Sequence, residues 1–156
     1  MAIIHGTATA PTNSDVMVSP VQLIRDFMSP APITIHPQLT VADATERMYT
    51  HKIRHLPVVD HGALVGLLSE RDAALVAALT GKDPRKIAVA YAMRRDPFTC
   101  SPDDRVADVV SVMATRKLGS AVVVEHARVV GMFTAIDAMA RLVDMCRAFE
   151  LLAELS

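Results

Sequence analysis

The sequence contains Gly66-Leu67-Leu68-Ser69-Glu70-Arg71-Asp72 and, 65 residues further on, Gly131-Met132-Phe133-Thr134-Ala135-Ile136-Asp137. Both stretches share the pattern Gly-x-x-Ser/Thr-x-x-Asp. In each, a short apolar run ends at a hydroxyl residue and an acid follows three residues later, which is typical of a strand that leads into a capped helix. One such stretch would be weak evidence of a fold, but two at matching positions indicate an internal repeat.

The repeat covers most of the chain, because residues 28–75 align with residues 93–140 without a gap. Each copy has the same order of local signals: a short strand after a proline, an amphipathic helix, two β-branched runs and a closing helix. In the first copy we predict strands at 33–35, 56–59 and 64–68 and helices at 40–52 and 70–79. In the second copy we predict strands at 98–100, 121–124 and 129–133 and helices at 105–117 and from 135 onwards.

A single copy of roughly 60 residues is too small to bury the apolar face of its own sheet, so the two copies must pack together. The predicted fold class is therefore α+β, with tandem units that each hold a small three-stranded sheet and two flanking helices. The predicted boundaries are a leader at 1–20, a first unit at 21–80, a linker at 81–86, a second unit at 87–145 and a helical extension at 146–156.

The composition is that of a globular protein with an aliphatic interior, since 51% of the residues are hydrophobic, 21% charged and 4% aromatic. The net charge is −1 with both signs interspersed, so there is no basic field for a nucleic acid. No apolar run approaches the roughly 20 residues that cross a bilayer, and no basic segment leads into a hydrophobic one at the start. We expect a cytoplasmic protein that binds neither nucleic acid nor membrane.

The sequence also lacks the common patterns of metal sites and catalytic sites. Cys100 and Cys146 are its two cysteines, with no CxxC pair and no accompanying Cys/His spacing of the zinc-binding type. It contains no HExxH, GxSxG, GxGxxG or Walker-type GxxxxGK string. We therefore expect no metal site, no catalytic residue and no enzymatic activity.

The order strand, helix, hairpin, helix, repeated in tandem, resembles the CBS-domain pair, or Bateman module, over about residues 21–145. The resemblance rests on residues 26–30, on residues 55–60 and on the two Gly-x-x-Ser/Thr-x-x-Asp stretches. It implies two CBS repeats packed about a pseudo-twofold axis in a stand-alone module of the bacterial type. It also implies a non-catalytic regulator that requires no cofactor, binds AMP, ADP or ATP between its repeats and transmits the ligand state to an unknown effector protein.

The identity of the ligand stays open at the level of sequence. NAD(H) and S-adenosylmethionine are alternatives because they share adenosine with the adenine nucleotides, and the repeated motif addresses only the ribose and the base. A further alternative is a dimerisation or interaction scaffold whose clefts hold no ligand.

The pairs Ser69 with Asp72 and Thr134 with Asp137 have two interpretations. As helix caps, the hydroxyl and the acid bind amide groups that are left free at a helix start. The resemblance adds a second role, in which the acid accepts both hydroxyls of a ribose and the Ser or Thr contacts ribose or phosphate. The positive end of the helix dipole favours a phosphate at the same place.

The remaining candidates differ between the two copies. The resemblance places Thr34 and Thr99 at the adenine, although both are β-favouring residues that need no ligand. It places Arg54 and His55, together with Arg71, where basic residues of related proteins reach phosphates, although simple exposure to solvent would also explain the arginines. Their counterparts in the second copy are Gly119, Ser120 and Ile136, so we expect an asymmetric phosphate contact. The predicted nucleotide-binding residues are Thr34, Arg54, His55, Ser69, Arg71, Asp72, Thr99, Ser120, Thr134 and Asp137.

The C-terminal helix is predicted to continue from 135 to 155. Its a/d-like stripe consists of Met139, Leu142, Cys146, Phe149 and Ala153. Two heptads are too few to establish a coiled coil, so the stripe either packs back on its own module as core or contacts another chain. The resemblance favours a homodimer, because CBS pairs commonly associate through helix faces.

Overall fold

The computed structural model describes residues 21–155, and the predicted leader at 1–20 lies outside the described residues. Two short 3-10 turns, Ile24–Asp26 and Pro84–Lys86, precede the first strand and the third helix. The helices and strands are β1 (Ser29–Pro30), α1 (Val41–His51), β2 (His55–Asp60), β3 (Ala63–Ser69), α2 (Glu70–Thr80), α3 (Val89–Ala92), β4 (Thr99–Cys100), α4 (Val106–Arg116), β5 (Ser120–Glu125), β6 (Arg128–Thr134) and α5 (Ala135–Glu154).

The first long helix of each unit begins and ends where the sequence predicts. Thr40 caps α1 in a reciprocal pair with Asp43, in which each side chain accepts the backbone N–H of the other residue. Arg105 precedes α4 without a side-chain cap. Lys52 and Lys117 end the two helices in the left-handed conformation, with φ of 54° and 55°. The prediction of both helices is confirmed.

Each unit contains an antiparallel hairpin, formed by β2 and β3 in the first unit and by β5 and β6 in the second. The turns contain two successive residues with positive φ, His61 and Gly62 in the first and His126 and Ala127 in the second. Such turns match the twist of the flanking strands, which is why they are favoured in hairpins. Both hairpins also shift register at matching positions, so the repeat extends to the irregularities of the sheets.

The first strand of the first unit is shorter than predicted. Only Ile35 bridges to β2, whereas β4 runs along β5 for two residues in the second unit. The difference follows from Pro57: at the matching position the N–H of Val122 donates to the carbonyl of Phe98 at 2.9 Å, and proline has no N–H to donate. The prediction of a strand at 33–35 is therefore wrong except at Ile35.

The segments that lead into the two units are exchanged between their sheets. β1, at the start of the first unit, pairs with β6 of the second. Arg94, at the start of the second unit, pairs with Leu67 of β3, and each backbone N–H donates to the carbonyl of the other at 2.9 Å. Residues 28–30 and 93–95 are termed the crossing segments. As a result the second unit has a four-stranded sheet in the order β1-β6-β5-β4 instead of the predicted three strands.

Glycines on β3 and β6 leave room for the crossing segments. A Cβ on Gly66 would lie 2.5 Å from Sδ of Met93 and 2.8 Å from the carbonyl oxygen of Arg94. A Cβ on Gly131 would lie 2.6 Å from Sδ of Met28. Gly and Met therefore recur together in the repeat because one occupies the space that the other leaves.

The apolar cores are assembled across the sequence boundaries of the units. Ile87 and Val89 are buried in the core of the first unit, and Ile24 is buried in the core of the second with Phe27 packed against it. A third cluster joins the two sheets and contains Leu67, Val122 and Met132. Each core therefore includes residues from the segment that leads into the other unit.

The last helix, α5, runs for 20 residues, and none of them is buried. Its predicted stripe is exposed, by 53% at Met139, 59% at Leu142 and 66% at Phe149. The interpretation of this stripe as core of its own module is therefore wrong. Within residues 21–155, the helices are all too short or too polar to span a membrane.

Candidate functional site

Asp137 lies in the first turn of α5, and Thr134 caps that helix. The hydroxyl of Thr134 accepts the backbone N–H of Asp137 at 3.3 Å. Oδ2 of Asp137 in turn accepts the N–H of Thr134 at 2.7 Å and its hydroxyl at 2.9 Å. This is the capping box that the sequence predicts, and it fixes the carboxylate at the start of the helix.

Asp72 holds the matching position in α2 but has a different partner. Ser69 keeps its half of the cap, because its hydroxyl accepts the N–H of Asp72 at 3.0 Å. Oδ2 of Asp72 lies 3.8 Å from Nε of Arg94, which belongs to a crossing segment. The acid of the first unit thus forms an ion pair, whereas the acid of the second unit binds its own cap.

The strand register places a third predicted residue opposite each capping hydroxyl residue. His55 is the register partner of Ser69 in the first hairpin, and Ser120 is the register partner of Thr134 in the second. His55, Ser69 and Asp72 are termed the first half-site. Ser120, Thr134 and Asp137 are termed the second half-site. Each combines the first residue of a strand, a helix cap and an acid.

His55 lies at the boundary between the two units. A Cβ on Gly119 would lie 3.5 Å from Nε2 of His55, so the ring reaches the residue that precedes β5. Burial lowers the pKa of His55, the charge of Asp72 opposes this effect, and the charges of Arg54 and Arg94 add to it. The ring is therefore mostly neutral at pH 7 and can both donate and accept a hydrogen bond.

The other two predicted phosphate contacts of the first unit are exposed. Nε of Arg54 lies 3.9 Å from Oε2 of Glu70, and the two side chains are 80% and 64% exposed. Ion pairs of this kind contribute little stability. Arg71 is exposed in the first turn of α2. Exposure agrees with the solvent-facing interpretation and also leaves both side chains able to approach a bound anion.

The two predicted adenine contacts lie outside the half-sites. The carbonyl oxygen of Thr34 accepts a hydrogen bond from Nη1 of Arg47 at 2.9 Å. Thr99 is exposed on β4, where its register partner is Val122. The strand register does not bring either threonine to Asp72 or Asp137, so their role stays a prediction.

Arg94 is the residue that the sequence analysis missed. It aligns with Ser29 in the repeat, so a basic residue present in one copy alone was a visible signal. Its proximity to Asp72 depends on the exchange of the crossing segments, and no local pattern indicates that exchange.

The cysteines do not add a reactive or metal-binding group to either half-site. Cys100 is buried, and burial raises the pKa of its thiol to about 12, which keeps it protonated and unreactive. Cys146 is exposed on α5. Among the residues that the structure describes, no group of three or more His, Cys, Asp or Glu is placed to hold a metal ion.

A separate apolar groove of about 780 Å³ lies between α4 and α5. Val106 and Val110 line it on one side, and Leu142, Met145 and Phe149 line it on the other. Neither half-site contributes a side chain to this groove. It is therefore a second candidate surface, of a kind that suits contact with a protein rather than with a nucleotide.

Comparison with known sequences gives the family and two relatives. The sequence matches the CBS domain family over residues 24–78 and 87–144. The CBS domain-containing protein YhcV of Bacillus subtilis is 28% identical over 114 residues, which are 73% of this chain and 81% of that protein. The L-aspartate semialdehyde sulfurtransferase of Methanocaldococcus jannaschii is 36% identical over 123 residues, 78% of this chain. The chain spans 23% of the length of that sulfurtransferase.

A solved structure supports the same assignment. A CBS domain pair in complex with 5′-methylthioadenosine and S-adenosyl-L-methionine is 33% identical to this chain. The similarity covers 80% of this chain and 98% of that pair, with a TM-score of 0.72. The predicted fold class is confirmed, and the chain belongs to the CBS domain family as a tandem pair of repeats.

Proposed function

We propose that this chain is a non-catalytic, cytoplasmic regulatory module that binds an adenine nucleotide, AMP, ADP or ATP, between its two CBS repeats. The observation that carries the proposal is the duplicated half-site, in which a strand start, a hydroxyl cap and a helix-start acid recur in one backbone arrangement. A carboxylate at this place can accept both hydroxyls of a ribose. The amides at the helix start favour a phosphate.

Alternative adenosyl ligands fit the same arrangement. The related pair solved with 5′-methylthioadenosine and S-adenosyl-L-methionine supports a ligand that contains adenosine. S-adenosylmethionine and NAD(H) therefore stay candidates beside the nucleotides. In this proposal Thr34 and Thr99 contact the base, the residues of the half-sites contact ribose and phosphate, and Arg54 and Arg71 contact phosphate.

The test is calorimetry and thermal shift with AMP, ADP, ATP, NAD(H), S-adenosylmethionine and 5′-methylthioadenosine. A ligand at 100 times its Kd stabilises a protein by about 2.7 kcal/mol, which is a readily measured shift. We expect at least one compound to bind, and we expect binding to be lost in the double variant Asp72→Asn, Asp137→Asn. Binding that survives both substitutions would overturn the assignment of the site, and failure of all six compounds would favour the scaffold interpretation.

We further propose that the module is a homodimer whose contact surface is the groove between α4 and α5, with the helix α5 of a second copy as its occupant. The same helix lines the groove with Leu142 and Phe149 and carries a further exposed apolar stripe with Ile136, Val143 and Leu151. A twofold contact requires a surface that is complementary to itself, and a groove beside an apolar ridge on one helix has this property. A change in this contact would carry the ligand state to an effector protein.

The dimer is tested by sedimentation or light scattering of Phe149→Asp and Leu142→Asp. We expect both variants to be monomeric while the wild-type chain is dimeric. Leu79→Asp on α2 is the matched control, because Leu79 is 76% exposed and does not line the groove. A dimer that persists in both α5 variants, or a monomeric wild-type chain, contradicts this part of the proposal.

A further inference from the structure

The two half-sites share a backbone arrangement but differ in charge. Around Asp72 lie Arg94 on the crossing segment that leads into the second unit, Arg54 and His55 at the start of β2, and Arg71 in the first turn of α2. The matching positions around Asp137 are occupied by Ser29, Gly119, Ser120 and Ile136. All four of these basic or titratable residues thus have neutral counterparts at the second half-site.

Arg94 restricts which ligands can bind Asp72. Its Nε lies 3.8 Å from Oδ2 of the acid, so a ribose that binds this oxygen competes with the guanidinium for it. An uncharged nucleoside leaves Arg94 without a counter-ion. A ligand with a phosphate supplies a new one, and the guanidinium fork matches two phosphate oxygens at once.

The second half-site has no charged residue in the place of Arg94. Ser29 occupies the place of Arg94, because β1 pairs with β6 opposite Met132 just as Arg94 pairs opposite Leu67. The capping hydrogen bonds of Asp137 come from Thr134 alone, a neutral residue, and they use Oδ2. A ribose can therefore approach Asp137 without breaking an ion pair.

From this difference we propose that the first half-site selects an adenosyl ligand that carries a phosphate, with Arg94 as the residue that determines this specificity. The second half-site accepts an uncharged adenosyl ligand. The inference rests on the proposed function, because it assumes that both acids bind a ribose.

The experiment measures the affinity of AMP and of 5′-methylthioadenosine for the wild-type chain, Asp72→Asn and Asp137→Asn by calorimetry. We expect Asp72→Asn to weaken AMP at least tenfold and to change 5′-methylthioadenosine less than threefold. We expect Asp137→Asn to have the reverse effect. Equal effects of both variants on both ligands, or a wild-type chain that binds neither of the two, would overturn the inference but leave the proposed function intact, whereas failure of all six compounds would overturn the proposed function itself.

Arg94→Ser isolates the specificity residue, since it installs the residue of the second unit. We expect AMP to bind at least fivefold more weakly and to lose part of its dependence on ionic strength, because an ion pair with phosphate is screened by salt. We also expect 5′-methylthioadenosine to gain a second binding event. Arg95→Ser, at an exposed neighbouring position, is the matched control for net charge. An Arg94→Ser chain with wild-type AMP affinity and salt dependence contradicts the assignment of Arg94.

Discussion

In the first unit a proline interrupts the contact between the first strand and its sheet, and an arginine pairs with the acid of the half-site. In the second unit Val122 completes the strand contact, and the acid binds only its own cap. The two units nevertheless keep the same helices, the same hairpin turns and the same close approach of glycine to methionine. The helices, the hairpin turns and the glycine–methionine contacts are therefore retained between the units, whereas the residues beside the two acids vary.

The glycines on β3 and β6 offer the strongest test of this shared backbone. Gly66→Ala should lower the free energy of unfolding by about 3 kcal/mol, because the added Cβ meets both a sulfur and a backbone oxygen that cannot move aside. Gly131→Ala should cost less, about 1–2 kcal/mol, because its Cβ meets mainly the flexible side chain of Met28. Urea denaturation of both variants measures the difference.

The double variant Gly131→Ala, Met28→Ala provides the control. It should recover part of the loss, since removal of the methionine sulfur frees the space that the new Cβ needs. Gly66→Ala with Met93→Ala should recover less, because the carbonyl of Arg94 remains 2.8 Å away. Equal costs for the two single variants would show that the crossing segments do not differ in rigidity.

Exchange of Pro57 and Val122 between the units tests the difference in how the first strand of each unit contacts its sheet. Val122→Pro removes the N–H that donates to Phe98, so we expect a loss of about 1 kcal/mol, the usual contribution of one such hydrogen bond. Hydrogen exchange should show β4 opening more readily in this variant. Pro57→Val restores a donor in the first unit and should slow exchange near residues 33–35. If Val122→Pro were to unfold the chain, the proline would not be a tolerated alternative at this repeat position.

Titration of His55 gives the smallest expected effect. Burial lowers the pKa of His55 below the ordinary value of 6.5, so the unfolded chain binds a proton at pH values where the folded chain does not. Stability should therefore fall as the pH drops below about 6.5, until the folded ring is protonated as well. His55→Ser, which copies Ser120, should lose less stability between pH 7 and pH 5 than the wild type, as measured by thermal unfolding.

An exposed histidine serves as the control for the substitution itself. His51→Ser makes the same change of side chain at an exposed position in the last turn of α1. Parallel pH curves for the wild type and His55→Ser would show that the ring is not buried in solution.

Local patterns explain why most of the fold could be predicted from the sequence. Helical and strand periodicities, the caps at Thr40 and Thr134 and the hairpin turns are all encoded within a few neighbouring residues. The effect of Pro57 was not predictable, because a missing N–H changes the sheet only where a partner carbonyl faces it. The sequence does not identify that partner. The stripe on α5 indicated an apolar face but not what would cover it.

The candidate site was predictable to the extent that it is repeated. The hydroxyl and acid of each half-site recur with one spacing, and the hairpin register then places His55 opposite Ser69 and Ser120 opposite Thr134. Arg94 was not predictable, since it lies some twenty residues after Asp72 in the chain and reaches it only through the exchange of the crossing segments. A residue of one unit that contacts the half-site of the other unit therefore cannot be predicted from the sequence pattern of a single repeat.

The reciprocal exchange of β1 and the segment at Arg94 also bears on how such a chain could arise. A peptide with one unit alone would have an unpaired leading segment and a sheet edge without a partner strand. Two identical peptides would pair the leading segment of each with the sheet edge of the other. A short ancestral gene could therefore have produced a working twofold pair before any duplication occurred. Fusion of two such genes would have needed only a connecting loop, after which each half was free to specialise.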